Sequence, residues 1–209
     1  MTLSLAPVLA ASLATACQTA AQGPPLVQPG APGAPSRVIT AHEASGSSKI
    51  VATAADIQFM QGMIRHHRQA LQMTALLPSR TSREDMRLLG RRIELSQADE
   101  IHLMQRWLEV RGAPAEDGHS HEGHPALMPG MLTTEEMDRL AAASGGEFDR
   151  LFLELMIRHH DGALVMVEGL FSTDGAGQEA EVFAFATDVD TDQRIEIDRM
   201  RGLLQELSR

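Results

Sequence analysis

Apolar positions recur along this chain with the period of a helix. Phe59, Met63, His66, Ala70, Met73 and Leu77 step by four and three, so a helix places them on one face. Phe152, Met156, His159, Ala163, Met166 and Leu170 repeat that stripe further along. A second kind of stripe runs through Ile93, Gln97, Glu100, Ile101, Met104 and Leu108. Pro78 is expected to end the first helix, because proline cannot continue the hydrogen-bond ladder. Gly112 and Pro114 end the second. Thr134 and Gly145-Gly146 bracket a shorter helix near Glu135 to Ala143.

These stripes belong to a duplication. Met63-Ile64-Arg65-His66-His67 returns as Met156-Ile157-Arg158-His159-His160, 93 positions later. Asp56 and Phe59 match Asp149 and Phe152 at the same offset. Gln97-x-x-Glu100-Ile101-x-x-Met104 returns as Gln193-x-x-Glu196-Ile197-x-x-Met200. Two matched segments in one order predict an all-α fold: an antiparallel four-helix bundle built from a duplicated helical hairpin. The domain spans 50–209, with repeat one over 50–112, a His/Met loop over 113–133 and repeat two over 134–209.

The residues ahead of the domain read differently. Met1 to Ala16 are small and apolar, too short for a membrane span and suited to a signal peptide over 1–17. Leu13-Ala14-Thr15-Ala16-Cys17 resembles a bacterial lipobox, which would make Cys17 a lipidation site and anchor the chain to a membrane. No Lys or Arg precedes the apolar run, so ordinary secretion by cleavage after an Ala is the alternative. Residues 18–49 carry Pro24, Pro25, Pro29, Pro32 and Pro35 and are expected to be a disordered tether, with His42 a solvated residue in it. The expected location is the cell envelope, lipid-anchored or periplasmic.

Composition narrows the partners. The formal net charge of −10 disfavours nucleic acid and anionic lipid headgroups. Cys17 is the single cysteine, so no disulfide forms within one chain. The chain has 12 Met and 9 His. Methionine alone is an ordinary core filler. Methionine and histidine at a repeated spacing say more, because thioether and imidazole both ligate metals.

Neighbours on a helix differ in direction by about 100°. His66 falls inside the apolar stripe, His67 lies at its edge, and Met63 neighbours both. Two readings follow. In the first, Met63, His66 or His67, Met156, and His159 or His160 surround one metal site. Its donors suit copper, with thioether favouring Cu(I) and imidazole accepting Cu(I) or Cu(II). In the second, His66 with Glu100 and His159 with Glu196 form a buried polar layer that needs no metal, with Gln97 and Gln193 one turn away. The readings are compatible, since a carboxylate can orient a metal-bound imidazole. Between the repeats, His119, His121 and His124, with Met128 and Met131 beyond them, form a tract suited to weak metal capture. His102 is placed on the outer face of its helix.

Met-Ile-x-His-His-x-x-Ala-x-x-Met in two copies, Gln-x-x-Glu-Ile-x-x-Met, Met128-Pro129-Gly130-Met131 and Glu147-Phe148-Asp149 resemble the bacterial domain-of-unknown-function family 305. The likeness runs from about Ala55 to the C-terminus. It implies a ferritin-like fold and, from some members, an envelope copper-binding protein. The expectation is a metal-binding protein, not an enzyme, that sequesters or buffers copper or passes it to a partner. The alternative is a structural module that meets another envelope protein. A di-iron enzyme would need Glu-x-x-His on two helices, and no Glu-x-x-His occurs; Asp99-x-x-His102 is the nearest and is present once. No Gly-x-Ser-x-Gly occurs either.

Overall fold

The computed structural model of the protein describes residues 26–28, 36–40, 51–115 and 127–208. The chain divides into two units, Met1–Lys49 and Ile50–Arg209. In the first, β1 (Leu26–Gln28) and β2 (Arg37–Ile39) pair antiparallel with Val27 opposite Val38. This ladder departs from the structureless tether expected over 18–49. Its β-branched residues, Val27, Val38 and Ile39, suit a strand. The signal-like segment, Cys17 and His42 lie outside the described residues.

The second unit is helical. Its elements are α1 (Ala54–Thr74), α2 (Leu77–Arg80), α3 (Glu84–Val110), α4 (Thr134–Ala142), α5 (Gly145–Phe171) and α6 (Ala180–Leu207). A capping box starts α1: the Asp56 N–H donates to Thr53 Oγ1 at 3.1 Å, and the Thr53 N–H donates to Asp56 Oδ2 at 2.7 Å. The other Asp56 oxygen accepts from the Gly177 N–H at 2.7 Å, which ties the start of α1 to the loop before α6. Thr133 and Glu136 make the same box for α4, one residue earlier than the sequence pattern suggested.

Pro78 does not stop the first helix. That helix ends at Thr74, and Pro78 sits in the first turn of α2, where the absent N–H has no helical partner to lose. The end of α3 follows the sequence expectation, with Gly112 at φ 65° just beyond it. There Arg111 stacks over Trp107 at 4.0 Å, and the Trp107 indole donates to Glu179 at 3.2 Å, holding α3 to the start of α6.

Helix α1 packs on α3, α5 on α6, and α1 on α5. The core they enclose is two apolar clusters. One joins Phe59, Met63 and Ile64 of α1 to Ile101 and Met104 of α3, Ala163 and Val167 of α5, and Ala186 and Val189 of α6. The other joins Ala70 and Met73 to Ile93, Phe152 and Met156, and Ile197 and Met200. The first half of α1 thus shares a cluster with the last half of α3, so these two helices run in opposite directions; α5 and α6 do the same. Fully buried side chains of this size contribute about 1.5–3 kcal/mol each. Between the clusters, on all four helices, lies a polar layer: His66, His67, Gln97, Glu100, His159, His160, Gln193 and Glu196, all buried. No helix among the described residues is long and apolar enough to cross a membrane.

Candidate metal centre

The stripes of α1 and α5 meet at their first histidines. The His66 and His159 rings stack with centroids 3.9 Å apart and planes tilted by 36°. His67 lies 6.3 Å from His66, and His160 lies 6.2 Å from His159. Four imidazoles therefore run through the protein in the order His67, His66, His159, His160, and each is fully buried.

The second histidine of each pair makes the carboxylate contact. His67 Nε2 bonds Glu100 Oε2, and His160 Nε2 bonds Glu196 Oε2 at 2.6 Å. This corrects the expected pairing of His66 with Glu100 and His159 with Glu196. The reason is the 100° step of a helix: a side chain aimed across at α5 leaves its neighbour aimed at α3. Glu100 and Glu196 are close enough to the Asp192 carboxyl to raise its pKa, after burial, which is the larger cause.

His66 has a partner that sequence reasoning missed. Its Nε2 lies 3.0 Å from the Pro129 carbonyl oxygen. The turn carrying that carbonyl is pressed onto α5 at Gly162. A Cβ on Gly162 would lie 2.0 Å from Pro129 O, and one on Gly130 (φ 75°) would lie 2.5 Å from Arg158 O. On the α1 side, the Gln69 amide grips the backbone of Leu132 twice, at 3.0 Å and 2.7 Å. Arg158 binds both oxygens of Glu136 at 2.6 Å, fastens α4 to α5 and pulls the Glu136 carboxyl down to about 2. Met128-Pro129-Gly130-Met131 is thus the element that closes the histidine layer. The available signal was a glycine inside a helix, which costs about 1 kcal/mol against alanine and so needs a reason.

These contacts fix tautomers. A carbonyl only accepts, so His66 carries its proton on Nε2 and donates it. Carboxylates opposite His67 and His160 have the same effect. In the neutral form of each of these three rings Nδ1 is then a bare lone pair, and none of these Nδ1 atoms has a hydrogen-bond partner. Neither ring nitrogen of His159 makes a well-formed hydrogen bond, and the nearby His66 backbone carbonyl only partly offsets the lowering of its pKa. Burial, reinforced by His67, pushes the pKa of His66 down to about 3. Burial, with His66 and His160, lowers that of His159 well below its usual value. Both rings are neutral at pH 7, the form that ligates metal.

Met63 and Met156 are fully buried at 0% exposure in the two clusters flanking this layer. A single centre shared by His66 and His159 is not preformed. Imidazole lone pairs lie in the ring plane, so stacked rings do not aim at one ion. Among the described residues no three His, Cys, Asp or Glu side chains converge as a metal site. His119, His121 and His124 lie outside the described residues, and His102 and Asp99 are exposed. Gln97 and Gln193 are buried in the layer, and Gln97 Oε1 has no partner.

The fold and the layer define a class: an all-α protein with two Met-x-x-His-His helices face to face across a duplication. The chain belongs to the DUF305 family, whose model, described as a domain of unknown function, matches residues 56–204. A DUF305 fragment from Deinococcus radiodurans is 34% identical, with TM-score 0.65, over 74% of this chain and 98% of that one. A DUF305 protein from Streptomyces coelicolor, described as a candidate secreted protein, is 31% identical, with TM-score 0.64, over 74% and 94%. CopM, solved in a Cu(I)-bound form, is 27% identical, with TM-score 0.57, over 72% and 96%. Its Cu(II)-bound and Ag-bound forms match as well. A comparison with curated proteins finds no match.

Proposed function

We propose that this protein binds copper, without catalysing a reaction, at the paired Met-x-x-His-His helices, and that it sequesters or buffers the metal outside the cytoplasm. The observation that carries the reading is the set of buried Nδ1 lone pairs. A buried polar atom without a partner costs about 1–3 kcal/mol, and four such rings in one layer favour a ligand that would satisfy them. The donor set fits copper: imidazole nitrogens on His66, His67, His159 and His160, with His66 and His159 held neutral, and the thioethers of Met63 and Met156 at the borders of the layer. Glu100 and Glu196 on Nε2 leave Nδ1 free, the arrangement in which a carboxylate orients a metal-bound imidazole. The copper-bound and silver-bound forms of CopM support the choice of metal.

The opposed helix directions and the shared polar layer support an antiparallel four-helix bundle of the ferritin-like class. Export rests on the signal-like N-terminus and on the relative described as a candidate secreted protein. Anchoring through Cys17, capture by His119, His121 and His124, and delivery to an envelope partner are parts of the same reading.

A second reading rests on the His67–Glu100 and His160–Glu196 bonds: a polar layer that fixes helix register and binds nothing. Anaerobic titration with Cu(I) against a competing chelator separates the two. The copper reading expects tight binding that falls at least tenfold in a His66→Phe/His159→Phe variant. Equal binding by that variant, or none by the wild type, leaves the layer as architecture.

A further inference from the structure

We propose that Met128 and Met166 form a separate thioether site for one soft monovalent cation of the Cu(I) or Ag(I) class, seated over Gly62. The inference rests on the copper reading for its role, as an outer binding point, but its geometry is independent of the histidines. A Cβ on Gly62 would lie 3.4 Å from the Met166 methyl carbon and 3.5 Å from the Met128 sulfur, with no other side chain as near. Two methionine side chains, one from α5 presenting its methyl group and one from the linker presenting its sulfur, thus meet over a patch of α1 that has no side chain. Both are half-buried, whereas Met63 and Met156 are fully buried. Low-coordinate thioether sites select Cu(I)-type ions, and partial exposure gives such an ion access.

The duplication shows that this arrangement is not simply what the fold requires. At the position equivalent to Gly62 the second copy has Leu155, and at the position equivalent to Met166 the first copy has Met73. Leu155 and Met73 are both buried in one apolar cluster. The second copy fills the space with a leucine, and the first leaves it to two methionine side chains. Gly62 lies four residues before His66, one turn away on the same face of α1. Met128 is peptide-bonded to Pro129, whose carbonyl holds His66. Arg65 donates to the Met128 sulfur at 3.8 Å, so an arriving cation must displace a cationic donor. The site is accordingly weaker than the histidine layer and exchanges its ion readily.

The test uses the full chain with 13C-labelled methionine methyl groups and Ag(I) as a redox-inert probe. The methyl signals of Met128 and Met166 should shift together. A Met128→Leu/Met166→Leu variant should keep its helical circular dichroism and bind one Ag(I) fewer. His66→Phe/His159→Phe should retain that equivalent. Gly62→Leu, which copies the residue type of the second repeat, should abolish the paired shift. Movement of Met63 and Met156 with Met128 and Met166 unmoved overturns the site and leaves the copper reading standing. The converse supports the site and shows that Met63 and Met156 take no part in the histidine layer. No shift at Met128 and Met166 overturns the site, and the chelator titration with His66→Phe/His159→Phe then decides the copper reading by itself.

Discussion

The two copies of the repeat treat one position in opposite ways. In the first copy it is Gln69, whose amide grips Leu132 from one side. In the second it is Gly162, which removes its side chain so that Pro129 and Gly130 can press against α5. In their histidine–carboxylate contacts the copies agree: His67 bonds Glu100 as His160 bonds Glu196. The linker is the cause of the difference. One strand of chain must cross a two-fold layer, and it can satisfy only one of two equivalent histidines. His66 receives the Pro129 carbonyl, and His159 is left with no well-formed hydrogen bond at either nitrogen. Symmetry governs what the helices supply to each other, and asymmetry enters with the loop.

The largest expected effect acts on the histidines that differ. The pKa of His66 is about 3 in the fold and near 6.5 in the unfolded chain, so above pH 6.5 the group is neutral in both states. Below 6.5 the unfolded chain takes up a proton that the folded one refuses, and stability falls as pH falls, down to about 3. Two pH units below 6.5 cost about 3 kcal/mol from His66, and His159 adds in the same direction. Urea unfolding of the metal-free protein at pH 7 and pH 4.5 measures this. A flat profile would mean that the layer is wetter than its burial indicates. The Glu136–Arg158 pair loses stability only as the carboxylate protonates, below about pH 4.5.

A comparable effect should be equal in the two copies. His67→Leu and His160→Leu each remove the histidine partner of a buried glutamate, and each should cost about 3 kcal/mol by chemical denaturation. A clear inequality would show that the pairs are not equivalent and that the pseudo-symmetry ends before the carboxylates. The smaller effect returns to the position where the copies differ. Gly162→Ala pushes a methyl group into Pro129 O and should cost about 2 kcal/mol. Its melting temperature should fall more than that of an alanine at exposed Gly169, where a Cβ meets nothing within 4 Å. An unaffected Gly162→Ala would mean that the turn is free to leave α5.

Much of this was legible in the sequence. The stripes through Phe59 to Leu77 and through Ile93 to Leu108 carried the helices, because periodicity reports burial directly. The duplicated His-His motif carried the layer. Which histidine of each pair meets the glutamate was not legible, since a helical wheel gives direction but not what stands opposite. The roles of Pro129, Gly162 and Gln69 were hidden for a related reason. They act through backbone atoms brought together from more than thirty residues away, and no local pattern encodes that approach. Pro78 misled because proline breaks and starts helices by the same property, a missing N–H.

On the copper reading, Nε2 of His66, His67 and His160 is structural, and Nδ1 of the layer histidines is held ready for metal. A crystal grown with Cu(I) or Ag(I), with the ion located by anomalous scattering, tests it directly. A peak is expected at bonding distance from Nδ1 of at least one of His66, His67, His159 and His160, with the glutamate contacts of His67 and His160 Nε2 intact. Metal found only at sites remote from these rings, with the His66–His159 stack undisturbed, would contradict it.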